Sequence, residues 1–286
     1  MNQFQLHDMK GKIDYKGFSI NLENLKATFL NQETFLNGSI INEPNQSPKI
    51  DILLKGNYST VDFESLTGFV LPAQGQSNWD FEISNAESDD ESDSKFAFTA
   101  KSNLEGTQLN IPAPFNKTSD EVAPFSVRCE LPCLDSNWTM DFDNRLKTDF
   151  SLATDKSEFV LKSLNFGNQL QDSFGGKIDE LNLDEWLELL VKDKGNHKEH
   201  KIPFENIKLD IGSLIFMSRR LNHIEVEFTH DRDGLNFDIK GEEVEGRVVV
   251  PNDIENRGII VQLERLHWHG IDDEIAAKKA EKVSVK

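Results

Sequence analysis

Alternation of apolar and polar residues dominates this chain and constrains its fold more than any other feature. Leu109 and Ile111 alternate with polar neighbours, Pro112 and Pro114 interrupt the pattern, and the alternation resumes at Phe125. A period of two residues places every second side chain on one face of a β-strand. Proline lacks the amide hydrogen that a β-ladder needs. The segment is therefore predicted to fold as strand, break and strand.

The same pattern repeats along the chain and predicts about fifteen strands at the spacing of about 8–12 residues that is typical of a meander. Helical periodicity is confined to two short stretches, near 61–70 and 183–192. Thr60 and Asn182 are the predicted N-caps of these helices. The predicted fold class is all-β with one or two short helices, built as a long antiparallel meander that is curled into an open, taco-like groove.

Composition shifts predict how the chain is divided. Residues 1–191 are expected to form a β-groove segment that includes both short helices. Residues 192–201 are a charged linker, and residues 202–270 form a C-terminal β-meander that continues the groove. Residues 271–286 are a charged tail.

The charge of the chain excludes several classes of partner. The 286 residues carry a formal net charge of -19, which disfavours binding to nucleic acid and to anionic membrane surfaces. No stretch reaches the ~20 apolar residues of a membrane-spanning helix, and the N-terminus lacks the apolar core of a signal peptide. The chain is expected either to be complete or to be a piece of something longer.

The sequence shows no catalytic constellation. The motifs of common nucleophilic, phosphate-binding, dinucleotide-binding and zinc sites are absent, and the carboxylates fall at the polar positions of the alternation. His197 and His200 lack a third ligand, and His267 and His269 would need partners on a neighbouring strand, which a sequence does not show; no catalytic metal is expected. The acidic run at 85–94 lacks the spacing of a calcium loop and is predicted to be a solvated hairpin tip. We therefore predict a protein that is not an enzyme and binds no cofactor.

The two cysteines, Cys129 and Cys133, leave the compartment undecided. They are interpreted as small strand or loop residues, and a disulfide across so short a loop is an alternative. Two further ligands would be needed for a metal site.

The apolar faces of the strands present the central question. Two such faces cover each other in a closed β-sandwich, which the pattern alone favours. An uncovered trough wider than a few hundred Å² would instead need a lipid or a partner to explain it. A scaffold or interaction protein of the closed type and a carbohydrate-binding β protein are the alternative functions.

Several stretches, in order and spacing, resemble the AsmA-like bridge proteins of the Gram-negative envelope, the YhdP family in particular. The resemblance covers about residues 11–268. The stretches that carry it are GKIDYKGFSINLENLKATFLNQETFLNGSI, KIDILLKGNYSTVDFESLTGFVLPAQGQSNWDFEI, LNIPAPFNKTSDEVAPFSV, KIDELNLDEWLELL and the block LIFMSRRLNHIEVEFTHDRDGLNFDIKGEEVEGRVVVP with RGIIVQLERLHW.

The resemblance implies a segment of a long periplasmic bridge that is anchored in the inner membrane through a part absent from this chain. Its implied function is to shield phospholipid acyl chains in an apolar β-groove between the inner and outer membranes. The implied partners are those acyl chains, the remainder of the bridge polypeptide and envelope proteins.

Alternation selects the residues that would line such a groove, although it leaves open which sheet face is the lining face. The predicted lining residues are Trp79, Phe81, Ile83, Phe96, Phe98, Phe125, Val127, Trp138, Met140, Phe142, Phe159, Leu161, Ile224, Val226, Phe228 and Phe237.

Overall fold

The computed structural model confirms the all-β class. It describes residues 5–67, 72–86, 95–133, 136–153, 158–167, 174–186, 206–216, 218–230, 233–251 and 253–267. The strands are β1 (His7–Lys16), β2 (Ser19–Phe29), β3 (Gln32–Ile41), β4 (Lys49–Ser59), β5 (Ala73–Asn85), β6 (Phe96–Ser102), β7 (Thr107–Leu109), β8 (Phe125–Glu130), β9 (Asn137–Phe142), β10 (Leu146–Ala153), β11 (Glu158–Phe166), β12 (Gly175–Asn182), β13 (Asn206–Phe216), β14 (Arg219–His230), β15 (Gly234–Lys240), β16 (Val244–Pro251) and β17 (Ile260–Leu266). The short helices α1 (Thr60–Thr67) and α2 (Ile254–Arg257) accompany them, and residues 183–186 are also helical.

The chain divides into two compact units. Unit 1 comprises Met1–Ile111 and Asn116–Lys162, and unit 2 comprises Pro112–Phe115 and Ser163–Lys286. The predicted linker at 192–201 and the tail at 271–286 lie outside the described residues, so these divisions stay predictions. Within the described ranges, no helix has the length and apolarity needed to cross a membrane.

Unit 1 is the predicted antiparallel meander. Strands β1 to β6 pair in chain order, β6 continues to β8, and β8, β9 and β10 follow in order. The short β7 instead pairs with the start of β5. Strand β7 ends at Leu109, three residues before Pro112, so the chain leaves the ladder close to the break that the sequence predicts.

A bulge in β2 explains a slip in the alternation. The apolar positions run through Leu22 and then restart at Leu25, which shifts the period by one residue. The pairing of β2 with β3 shifts between these two residues. Asn24 has a φ of 47°, and its backbone N–H donates to Oδ1 of Asn37 at 2.9 Å. One extra residue is absorbed in this way, so both leucines keep to the same face.

Helix α1 begins one residue earlier than predicted, because Ser59 and not Thr60 is its N-cap. The amide of Asp62 donates to Oγ of Ser59 at 3.3 Å, and the amide of Ser59 donates back to Oδ2 of Asp62 at 2.7 Å. This exchange is a capping box with aspartate in the place of glutamate. The second predicted helix is described over 183–186, and Asn182 caps it by accepting from the amide of Glu185.

Unit 2 departs from the predicted all-antiparallel order at its start. Strand β12 pairs in parallel with β11 and with β13, whereas β13 to β17 form an antiparallel meander. A parallel pair needs a connection that crosses over, and the chain between β12 and β13 begins with the helical residues 183–186. The prediction of antiparallel pairing throughout was therefore wrong for β11–β13.

Residues 112–115 pack within unit 2 although they follow a strand of unit 1. The indole N–H of Trp186 donates to the carbonyl oxygen of Ala113 at 2.9 Å. The ring of Phe115 lies 6.2 Å from the Trp186 ring and 5.9 Å from the Phe166 ring. These contacts hold the proline-containing segment 112–115 within unit 2.

Candidate functional site

The apolar side chains of unit 1 lie on one face of its sheet in rows that run across the strands. The register of the ladders aligns one residue from each strand in every row. The core row consists of Leu25, Leu36, Leu54, Phe81, Ala100, Val127, Met140 and Thr148. The strip row, next along the strands, consists of Ile52, Ile83, Phe98, Cys129, Trp138 and Phe150.

One long border of this apolar face is sealed. Phe63 of α1 packs 6.2 Å from the Tyr58 ring and 4.7 Å from the Trp79 ring, measured between ring centroids. Rings of Phe29, Tyr58 and Phe81 lie 5.5 to 5.9 Å from one another. Such edge-to-face contacts add to the stabilisation from burial itself.

A layer of hydrogen-bonded polar residues lies along the same border. Tyr58 is 1 % exposed, and its hydroxyl lies 2.6 Å from Oγ1 of Thr34. The hydroxyl of Thr107 donates to Oγ of Ser77 at 3.2 Å, and Nζ of Lys117 donates to the carbonyl oxygen of Thr107 at 2.8 Å. All five residues are buried. Satisfied polar groups can be buried at low cost, so this polar layer ends the apolar face.

Burial shifts the pKa of two groups in the polar layer. Desolvation raises the pKa of the Tyr58 phenol, while its hydrogen bond to Thr34 works in the opposite direction. Desolvation lowers the pKa of Lys117, opposed chiefly by the charges of Glu121 and Asp120. Both shifts have the sign expected when a charged form loses contact with water.

The opposite border, which we call the open border, carries apolar side chains that are only partly buried. Large side chains of the strip row and of the strand ends beyond it belong to this class, as do Val127 and Met140 of the core row, whereas Leu25, Leu54 and Phe81 are buried. The described connections at this border, 17–18 and 42–48, carry no helix, and residues 87–94, 134–135 and 154–157 lie outside the described ranges. The partly buried apolar residues at this border are Ile20, Ile40, Ile50, Ile52, Ile83, Phe96, Phe98, Trp138 and Phe150.

The other face of unit 1 is polar. Nζ of Lys55 lies 2.6 Å from Oδ2 of Asp80 on the next strand, and Lys101 pairs with Glu82 at 3.3 Å. Phe35 is 44 % exposed on this face. Each exposed ion pair of this kind contributes little stability. Because the pairs join neighbouring strands, charged side chains cover this face and keep it in contact with water.

The predicted lining residues of unit 1 fall together on its apolar face. Phe81 and Phe142 are buried, and the remainder are partly buried. The side chains of Phe159 and Leu161 lie outside the described part of β11. The members that share the face are Trp79, Phe81, Ile83, Phe96, Phe98, Phe125, Val127, Trp138, Met140 and Phe142.

Residues of β2 to β4 on the same face are absent from the predicted set. Leu36 and Leu54 lie in the core row beside Phe81, and Ile50 and Ile52 lie at the open border. Their alternation in the sequence is as clear as that of the later strands, so the signal was present and could have identified them. Only the polar layer has no such signal, because Thr34 and Ser77 are ordinary polar residues in a strand pattern.

Unit 2 has a smaller apolar core and a concavity of different character. Ile224 is buried, Val226 and Phe228 are partly buried, and Phe228 stacks edge-on against Phe237 at 5.1 Å. These four predicted residues share one face. A concavity of about 910 Å³ is lined instead mainly by charged residues, among them Asp210, Glu225, Glu227, Asp238, Lys240 and Arg247. The candidate apolar site is therefore in unit 1.

Cys129 and Cys133 form a disulfide. Their Cα atoms are 5.4 Å apart, because the chain turns between them instead of continuing as a strand. The indole N–H of Trp138 donates to the carbonyl oxygen of Cys133 at 2.9 Å. The bridge thus holds the turn at the open border next to Trp138. Within the described residues, no group of three His, Cys, Asp or Glu side chains could hold a metal ion.

Together these features define a class of protein: an open, mostly antiparallel β-sheet that, in unit 1, has one charged face and one apolar face, with a helix and a polar layer along one border of the apolar face in the described residues. A comparison with protein families supports a narrower assignment. The family model described as YhdP protein matches residues 1–286. The chain therefore belongs to the YhdP family, and it is a YhdP-like envelope protein. No curated protein and no solved structure matches it.

Proposed function

We propose that this chain is a segment of a periplasmic bridge that shields phospholipid acyl chains on the apolar face of unit 1. In this proposal lipid moves between the inner and outer membranes along a longer polypeptide, and no chemical step takes place. Membership of the YhdP family supports an envelope role. The single observation that carries the lipid assignment is the open border, where large apolar side chains remain partly exposed.

The energetics favour hydrocarbon as the ligand of this border. Each methylene that leaves water contributes about 0.8 kcal/mol, so a chain of many methylenes gains from even partial shielding. A charged headgroup has the opposite preference, because it loses hydration when it is buried. A border that is open to water along its length accommodates both parts of one lipid. No headgroup pocket is required.

The sealed half of the face supports an alternative. Leu25, Leu54 and Phe81 are packed as in an ordinary core, and a scaffold or interaction protein would need nothing more. The two functions differ in whether hydrocarbon binds at the open border.

The test is lipid binding by a matched pair of variants. Phe98→Asp places a charge in the strip row, whereas Phe35→Asp makes the same change on the polar face. We expect purified protein to carry phospholipid, detected by mass spectrometry of an extract, and to take up a fluorescent fatty acid. Phe98→Asp should lose most of this uptake, and Phe35→Asp should retain it. Absence of lipid in the extract and of probe uptake by the unmodified chain would favour the scaffold alternative.

A further inference from the structure

We propose that unit 2 carries a recognition site for a proline–phenylalanine turn. The site is formed by Trp186 and Phe166, which we call the aromatic site, and its occupant is residues 112–115 of the same chain, which we call the turn segment. The inference concerns recognition of a peptide, so it goes beyond the proposed function and does not depend on it.

The turn segment has the composition of a peptide ligand. It belongs to unit 2, whereas the residues on both sides of it belong to unit 1. Its sequence is Pro-Ala-Pro-Phe, and Pro112 is buried while the other three residues are partly buried. Proline restricts the backbone before binding, so little conformational entropy is lost when such a segment docks. Segments rich in proline are recognised by aromatic surfaces in this way.

Hydrogen bonds hold the turn segment in one conformation. The backbones of Leu109 and Lys117 exchange two hydrogen bonds, of 2.9 and 3.4 Å, and thereby join the two ends of the excursion. Nζ of the buried Lys117 donates to the carbonyl oxygen of Thr107 at 2.8 Å. Within the turn, the amide of Phe115 donates to the carbonyl oxygen of Pro112 at 3.1 Å. The ligand is therefore preorganised, which lowers the cost of docking.

The aromatic site contacts the turn segment through one hydrogen bond and two ring contacts. The indole N–H of Trp186 donates to the carbonyl oxygen of Ala113 at 2.9 Å. The ring of Phe115 meets the Trp186 ring edge-on at 6.2 Å and lies 5.9 Å from the Phe166 ring. Edge-to-face contacts add to the stabilisation from burial. An indole donor beside an aromatic surface matches the carbonyl groups and apolar rings of a proline-rich turn.

Contacts inside unit 2 position Trp186 without help from the turn segment. Trp186 lies in the helical residues 183–186, at the start of the connection from β12 to β13. The amide of Ser218 donates to Oδ2 of Asp184 at 2.7 Å and holds this helical turn. The aromatic site is therefore expected to persist when its occupant is weakened, so that a peptide could replace it.

The first step of the experiment weakens the occupant in the full chain. Phe115→Ala removes both ring contacts of the turn segment, whereas the control Phe35→Ala removes a ring that is 44 % exposed on the polar face of unit 1. Solvent exchange of the indole hydrogen of Trp186 is followed by NMR of tryptophan labelled with nitrogen-15, and Trp186→Phe identifies the signal. We expect exchange about tenfold faster in Phe115→Ala and unchanged in Phe35→Ala.

The second step supplies the turn as a separate molecule. A peptide of residues 109–117, with its ends linked, is added to the Phe115→Ala chain, and a peptide with alanine in place of its phenylalanine is the matched control. We expect the first peptide to restore slow exchange of the Trp186 indole hydrogen and the second to leave it fast. The unmodified chain should bind neither peptide well below about 1 mM, because its own turn competes at about that effective concentration.

Three results would overturn the proposal. Unchanged exchange in Phe115→Ala would show that the turn segment does not cover the indole. Faster exchange that neither peptide reverses would reduce the contact to ordinary packing. Equal rescue by both peptides would show that the site does not recognise the phenylalanine ring. Should Phe115→Ala fail to fold, Phe115→Leu, which keeps an apolar side chain and loses the ring, replaces it with the same expectations.

Discussion

The pair formed by Thr34 and Tyr58 offers a quantitative test of the sealed border. Both side chains are buried, and their hydroxyl oxygens are 2.6 Å apart. Thr34 also donates to the carbonyl oxygen of Gln32 at 3.2 Å. Tyr58→Phe should therefore cost about 1 kcal/mol in free energy of unfolding, since the threonine keeps a partner. Thr34→Val should cost about 1–3 kcal/mol, because it strands a buried phenol.

The double variant, Thr34→Val with Tyr58→Phe, measures the coupling energy between the two residues. Replacing both partners by apolar groups of similar shape removes both buried hydroxyls, so no phenol is left unpaired and the cost should be well below the sum of the single costs. We expect a coupling energy of about 1–2 kcal/mol between Thr34 and Tyr58, in the range seen for residues in direct contact. The free energies are measured by urea unfolding, followed through the total tryptophan emission. Strict additivity would refute the claim that this hydrogen bond closes the border.

The same phenol predicts a dependence of stability on pH. Burial raises the pKa of Tyr58 in the folded chain above its unfolded value near 10. Above that pH the unfolded chain loses the proton first, so the contribution of Tyr58 to stability is present below about pH 10 and falls as the pH rises. The unmodified chain should lose more stability than Tyr58→Phe between neutral and alkaline pH. Parallel curves for the two proteins would contradict the assigned burial.

Three further predictions concern other parts of the fold. Replacing Cys129 and Cys133 by alanine should lower the free energy of unfolding by about 2 kcal/mol, because the unfolded chain is no longer constrained by this short closed loop. Urea unfolding of the unmodified chain with and without a reductant should give the same difference. Gly38→Ala should destabilise the chain by more than about 2 kcal/mol, since its Cβ would lie 2.1 Å from a carbonyl oxygen of the neighbouring strand and neither backbone can yield; a thermal melt measures this cost. Trp186→Phe should cost about 1 kcal/mol through the lost bond to Ala113, and it should speed proteolysis at residues 112–115, measured by limited digestion.

Local patterns predicted the strands, because side-chain alternation is a property of each segment by itself. The bulge in β2 was not predicted, although the slip in alternation between Leu22 and Leu25 marks its position. The boundary at α1 was displaced by one residue because Ser59 and Thr60 are both acceptable caps, and only the interaction with Asp62 decides between them.

Features that depend on distant pairing could not be predicted in this way. A strand in a parallel pair alternates like one in an antiparallel pair, so β12 gave no sign of its orientation. The polar layer requires Thr107 to contact both Ser77 and Lys117, and nothing in the local sequence of these residues indicates those contacts. Alternation identified one face for the candidate site, but the difference between a buried and a partly buried side chain on that face depends on what covers it, which is a property of the folded unit.

The rows of unit 1 show how additional strands would change the dimensions of its apolar face. The core row crosses eight strands, from Leu25 to Thr148, and seven steps of about 4.8 Å make it about 34 Å long. Because each strand contacts mainly its neighbours, an added hairpin would lengthen the apolar face by about 10 Å without altering its cross-section. The length of the apolar face is therefore set by the number of hairpins, whereas its width is set by the length of the strands.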